Sequence, residues 1–134
     1  MIYSFAVSTP ANTLAAAPVT TTLSLVTGIV HQIEFLFPTG CAGLLFIAIR
    51  HGLHQVWPTN PTESFHTDGE TISFKEHYEL PSNDSQLLLA SYNLDDTYAH
   101  EVHLRIGILQ RSEIQGLWLP WSDALLEELM EPTA

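Results

Sequence analysis

The stretch from Glu101 to Leu109 constrains the fold more than any other part of the chain. Val102, Leu104, Ile106 and Ile108 alternate with Glu101, His103 and Arg105. An apolar–polar period of two puts one set of side chains on a buried face and the other in solvent, which is the pattern of a β-strand covered on one side. The same period governs Ile2 to Val7, where Tyr3, Phe5 and Val7 share a face, and the stretch around Ile33, Phe35 and Phe37.

Turn residues cut the rest of the chain at short intervals. Two strands are expected at about 19–27 and 29–37, with Gly28 as a turn or bulge between them, and Pro38-Thr39-Gly40 ends the second. Leu44 to Arg50 is apolar on both faces, as in a central strand. His51-Gly52 then turns the chain into a short strand at Leu53 to Trp57. Pro58 to Gly69 reads as irregular and closes on the turn signal Asp68-Gly69. Thr71 to Phe74 alternates briefly, Pro81 to Asp84 is another turn, Gln86 to Tyr92 is a strand, and Asn93 to Ala99 is an acidic loop. Strands this short with turns this frequent predict a mostly β protein, an antiparallel β-sandwich, jelly-roll-like or immunoglobulin-like, with the longer irregular stretches favouring the jelly roll.

The 134 residues suit one domain. Residues 1–117 are assigned to the sandwich, with Ser8 to Pro18, rich in Ser, Thr, Pro and Ala, as an extended arm able to lie along a neighbour. Residues 118–134 differ in character. Trp118 and Trp121 form an aromatic patch, Ser122 can cap a short helix over Asp123 to Met130, and Leu125, Leu126 and Leu129 make one apolar stripe. Two helical turns are marginal alone, so this segment is expected to dock. Trp118, Trp121, Leu125, Leu126 and Leu129 are the candidate protein-interface residues.

Charge excludes some partners. Four Lys and Arg stand against fifteen acids, a formal net charge of -11. A nucleic-acid binder neutralises phosphates with basic side chains, and an anionic bilayer attracts the same groups, so neither partner is expected. Only 14 % of residues are charged, against roughly 25 % in ordinary domains, and Glu34 is the one charged side chain before Arg50. A surface so poor in charge suits burial against other subunits. The opening Met1 to Val7 lacks the basic start and continuous apolar run of a secretory signal, and Cys41 to Ile49 is too short to span a bilayer.

Chemistry finds little support in the pattern. Cys41, the single cysteine, has no local base or cation and reads as a structural thiol. Of the seven histidines, His51 and His54 flank a turn that can bring them together, with His66 or His77 as a third ligand in a cupin-like, metal-dependent enzyme. His100 and His103 are three apart in a strand and point to opposite faces. Asp95-Asp96-Thr97 offers about three of the six to eight oxygens that calcium wants. No nucleophile elbow or phosphate loop is present. The expectation is a non-enzymatic protein with no cofactor. Trp57, Tyr78, Tyr92 and Tyr98, beside turns and edges, suit contact surfaces, whether for proteins or for sugars.

Short neutral strands, an acidic balance, an uncharged Ser/Thr/Pro-rich early segment and a terminal helix together resemble the small virion structural proteins of tailed bacteriophages, the capsid decoration or cement proteins. The resemblance implies a virion protein with a jelly-roll core that binds itself as a homotrimer and binds capsid or other virion subunits, stabilising the shell by bridging them. The alternative is a carbohydrate- or ligand-binding β-sandwich module acting in receptor recognition.

Overall fold

A computed structural model describes residues 1–110 and contains eight strands: β1 (Ile2–Thr9), β2 (Val19–Ser24), β3 (Gly28–Leu36), β4 (Leu45–His51), β5 (His54–Trp57), β6 (Thr71–Leu80), β7 (Gln86–Asn93) and β8 (His100–Leu109). They form two four-stranded antiparallel sheets. The first has the order β1-β8-β3-β6 and the second β2-β7-β4-β5. The antiparallel β-sandwich expected from the sequence is therefore present. Among the described residues no helix is long and apolar enough to cross a membrane. The helix expected at Asp123 to Met130, and the interface residues Trp118, Trp121, Leu125, Leu126 and Leu129, lie outside the described residues.

The core lies where period two puts it. From β8, Val102, Leu104, Ile106 and Ile108 are fully buried and meet Ile33 and Phe35 of β3 on the same sheet face. Leu45, Ile47 and Ile49 of β4, with Leu87 and Leu89 of β7, close the core from the second sheet. Burying each such side chain contributes about 1.5–3 kcal/mol. Trp57, expected beside a turn, is a core residue at 3 % exposure. It sits against Phe74 and Tyr78 at the seam where the β5 and β6 edges face each other. Its indole N–H donates to Glu76 Oε2 at 3.0 Å, so the buried donor is satisfied.

Two local features depart from the alternation. β6 runs to Leu80 rather than ending near Phe74. The register of β3 shifts between Val30 and Gln32 against both neighbours, which makes His31 the extra residue of a bulge against β8 and sets Glu76 and His77 against it on β6. A β-carbon at Gly107 would lie 2.9 Å from His31 Nε2, so the bulged histidine occupies the space that Gly107 leaves. The second feature is the hairpin between β4 and β5. His51 pairs with His54 across a two-residue loop that opens on Gly52 at φ 64°, a left-handed first position that glycine fills without strain.

Of the seven connections between consecutive strands, only β4–β5 stays within one sheet; the other six cross from sheet to sheet. They emerge at two unlike ends. One end carries the short turns, including the one in which the Asp84 N–H donates to the Pro81 carbonyl. The other carries the four longer loops β1–β2, β3–β4, β5–β6 and β7–β8, and these are tied to one another.

Candidate functional site: the loop end and the outer face of the second sheet

At the loop end, backbone and side-chain hydrogen bonds link neighbouring loops in series. Asn12 N–H donates to the Asp95 carbonyl, and Thr13 and Asn93 exchange both backbone bonds, joining the β1–β2 loop to the β7–β8 loop. Leu94 N–H donates to the Leu44 carbonyl, which adds the β3–β4 loop. Gly69 N–H donates to Pro38, and Asp68 Oδ1 accepts from the N–H groups of Gly40 (2.8 Å) and Ala42 (3.0 Å), which adds the β5–β6 loop. The fully buried Cys41 thiol donates within the same knot, to the Thr67 and Pro38 carbonyls at 3.0 and 3.2 Å. The segment from Ser8 to Pro18, read from sequence as an arm, thus finishes β1 and then lies against its own chain.

Asn93 is the centre of this network. It is fully buried, its Nδ2 donates to the carbonyls of Thr9 (3.2 Å) and Tyr98 (2.9 Å), and its Oδ1 accepts from Asp95 N–H at 3.0 Å. Asp95 spends both oxygens locally. Oδ1 accepts from Thr97 and Tyr98 N–H, and Oδ2 meets His100 Nε2 at 2.7 Å. Those bonds, the Thr97 backbone first and His100 second, hold the Asp95 carboxyl below its usual pKa. The Ala42 and Gly40 N–H groups do the same for Asp68. Asp95, which from the sequence could have faced a cation, is here a turn former, and Asp68 forms the turn expected of Asp68-Gly69.

On this tied scaffold three large apolar side chains face outward: Leu14 at 62 % exposure, Leu94 at 45 % and Tyr98 at 67 %. Loops held by such a network lose little freedom when they meet a partner, so exposed apolar groups on them are well placed for binding.

The histidines form no metal centre: among the described residues no three His, Cys, Asp or Glu side chains gather to hold an ion. His51 and His54 are hairpin partners, but His54 is exposed while His51 turns to the seam. There His51 Nδ1 lies 2.6 Å from the Tyr78 hydroxyl and Nε2 lies 3.0 Å from Asp84 Oδ2. Burial, then the Asp84 charge, raises the Tyr78 pKa. The ring thus bridges the Tyr78 hydroxyl and Asp84 through its two nitrogens. This chain of bonds ties the β4–β5 hairpin to β6 and to the turn before β7.

The outward face of the second sheet is the other distinctive surface. β4 and β7 present three paired rungs there: Phe46 beside Tyr92, Ala48 beside Ala90, and Arg50 beside Leu88. The Phe46 and Tyr92 rings stack at 4.6 Å and 5°, and His66 lies over Phe46 at 4.4 Å. The alanine rung leaves a recess of about 160 Å³, walled by Ala15 and Pro18 on one side and by Pro61 to Ser64 on the other, with Arg50 and Tyr92 lining it. The second wall is held by Gln55, whose Nε2 donates to the carbonyls of Pro58, Asn60 and Glu63 at 2.9–3.1 Å. Phe65 continues the sheet edge beyond β5, exchanging backbone bonds with Ile47, and this returns the loop to the core. Sequence reasoning singled out Tyr92 but not Phe46, Arg50 or the alanines, whose grouping depends on strand pairing.

No family model matches the chain, and no curated protein matches it. Among solved structures the chain is similar to one titled as the crystal structure of FlhE, at 12 % identity and a TM-score of 0.41. The match covers 78 % of this chain and 95 % of that one.

Proposed function

We propose that this protein is a non-catalytic binding subunit of a larger assembly, a jelly roll that docks through its loop end onto other protein subunits. The setting is a viral shell, where it acts as a homotrimeric decoration protein. The carrying observation is the loop end itself: Leu14, Leu94 and Tyr98 are exposed on loops held by the Asn93, Asp95 and Asp68 bonds. The jelly-roll reading is supported by the strand orders β1-β8-β3-β6 and β2-β7-β4-β5, in which strands distant in the chain are paired and nearly every connection changes sheets. The non-catalytic reading is supported by the way the titratable groups are used. Asp95, Asp68 and His100 are committed to loop hydrogen bonds, and the Tyr78 hydroxyl is engaged by His51. A terminal contact through Trp118 and Trp121 belongs to the same proposal.

The test is the solution mass of the full chain by light scattering over a wide concentration range, beside a Leu94→Asp/Tyr98→Asp variant. A trimer that persists at nanomolar concentration, and that the variant dissociates without loss of thermal stability, is the expected outcome. A monomer at every concentration refutes the preformed trimer. The recess on the second sheet favours a second reading, a carbohydrate-binding face used in receptor recognition. It lies on a different surface and is compatible with assembly.

A further inference from the structure

Resting on the carbohydrate reading, the charge in the recess narrows the ligand. Arg50 is exposed and lines the recess, and among the described residues its guanidinium makes no ion pair or hydrogen bond. The chain has only four Lys and Arg against fifteen acids. Arg105, for comparison, is paired with Glu34 at 3.5 Å. Lys75 likewise makes no ion pair among the described residues, but it stands on the exposed face of β6, away from this recess. A guanidinium with no partner among the described residues, set in a recess beside a tyrosine ring, is a ready carboxylate receptor.

Three features select among anions. Glu63 lines the same recess, and with a net charge of -11 it disfavours a doubly charged group such as phosphate. A single carboxylate accompanied by hydroxyl groups is different, because the hydroxyls can donate to Glu63. Next, β4 and β7 are interior strands whose backbone groups are already paired on both sides, so the floor offers no edge for an extended peptide to join. Last, about 160 Å³ is below the roughly 300–1,000 Å³ of pockets for drug-sized ligands and suits one ring. We propose that the recess binds a carboxylate-bearing sugar residue, with Arg50 on the carboxylate, the Tyr92 ring beneath the apolar face of the sugar and Glu63 accepting from its hydroxyls. Gln55 is a positioning residue that keeps the Pro58-to-Glu63 wall in place.

The experiment is a calorimetric and NMR titration of the full chain at low salt with glucuronate, galacturonate and N-acetylneuraminate, beside glucose and inorganic phosphate. At least one acidic sugar is expected to bind saturably and about tenfold or more tighter than glucose, the scale of one charge-assisted bidentate contact. Arg50→Gln is expected to remove that advantage, and Arg50→Lys to keep part of it. Tyr92→Ala is expected to weaken all sugars alike. Arg50 is exposed, so its variants should keep the wild-type melting temperature. Equal binding of glucose, unaffected by Arg50→Gln, overturns the acidic-sugar inference and leaves the carbohydrate reading standing. No response to any sugar overturns both, whatever the light scattering gives. Phosphate binding as tightly as the acidic sugars makes the recess a general anion site and also overturns the inference.

Discussion

Replacing Asn93 tests whether the loop end is held by its buried amide. Asn93→Ala leaves the Thr9 carbonyl, the Tyr98 carbonyl and the Asp95 N–H without their partner. A buried polar group stripped of its partner costs about 1–3 kcal/mol. Thr9 is fully buried and bears that cost in full, whereas the exposed Tyr98 and half-buried Asp95 can recruit water and bear less. The expected loss is about 3 kcal/mol. At a urea slope of about 2 kcal/mol/M this moves the unfolding midpoint down by about 1.5 M, read from the fluorescence of the buried Trp57. Asn93→Asp points a carboxylate at two carbonyl oxygens and should destabilise at least as much at neutral pH. Its folded pKa is then raised, so that variant recovers stability as pH falls through the raised value. Ser8→Ala, on the exposed face of β1, is the control and should shift stability by less than about 0.5 kcal/mol. Hydrogen exchange should quicken first at Asn12, Thr13, Leu94 and Asp95. A loss below about 1 kcal/mol, or protection falling evenly over the whole sandwich, refutes the reasoning.

Other perturbations follow from particular contacts. Gly28→Ala places a β-carbon 2.7 Å from the Leu109 carbonyl oxygen and 2.8 Å from Ile108 Cγ2 at φ 156°, so it should cost about 2–3 kcal/mol. Gly52→Ala, left-handed but in open space, should cost about 1 kcal/mol, and comparative urea melts decide between them. Leu89→Ala, with Leu89 fully buried between the sheets, should cost about 2–5 kcal/mol in the same assay. Asp68 and Asp95 have folded pKa values depressed below 3.8. Their stabilising effect is therefore complete above that value and lost as pH falls through the lower folded one. Melting temperature measured from pH 5 downward should fall less steeply in Asp68→Asn than in the parent chain, and parallel curves refute the assignment.

The strands were largely legible because most of them cover one side of a single core, and one-sided burial writes period two into sequence. β8 is the clearest case, and β1, β4 and β7 were placed within two residues at each end. The sequence ends β6 near Phe74 because its next inward position is the polar Glu76, which faces inward only to accept from the Trp57 indole, a contact between two distant strands. Trp57 was set at a surface because Pro58 follows it. The seam between the sheet edges, which no local pattern encodes, buries it instead. The sites were harder still. The Phe46–Tyr92 stack joins residues 46 positions apart, and Asn93 meets Thr9 across 84. The acidic loop looked like a solvated tip or a cation site because its partners, the backbone N–H groups and His100, carry no residue-type signature until the turn is formed.

The pairing of β1 with β8 has a consequence for how the protein is made. Ile2 lies opposite Gly107, and the Met1 amino group donates to the Ile108 carbonyl 107 residues away. On the ribosome β1 therefore has no partner in its sheet until β8 has been synthesised. Both inner strands of the second sheet, β4 and β7, are likewise separated by the whole of β5 and β6. Few native pairings can form early, and at ordinary elongation rates of about 5–20 residues per second the nascent chain waits several seconds with its apolar faces uncovered. Folding is then a single late event with the slow kinetics of non-local β topologies. The low charge that suits the finished surface to burial leaves that waiting chain poorly protected. Its yield in a cell should depend on translation speed and on chaperones that hold extended apolar segments.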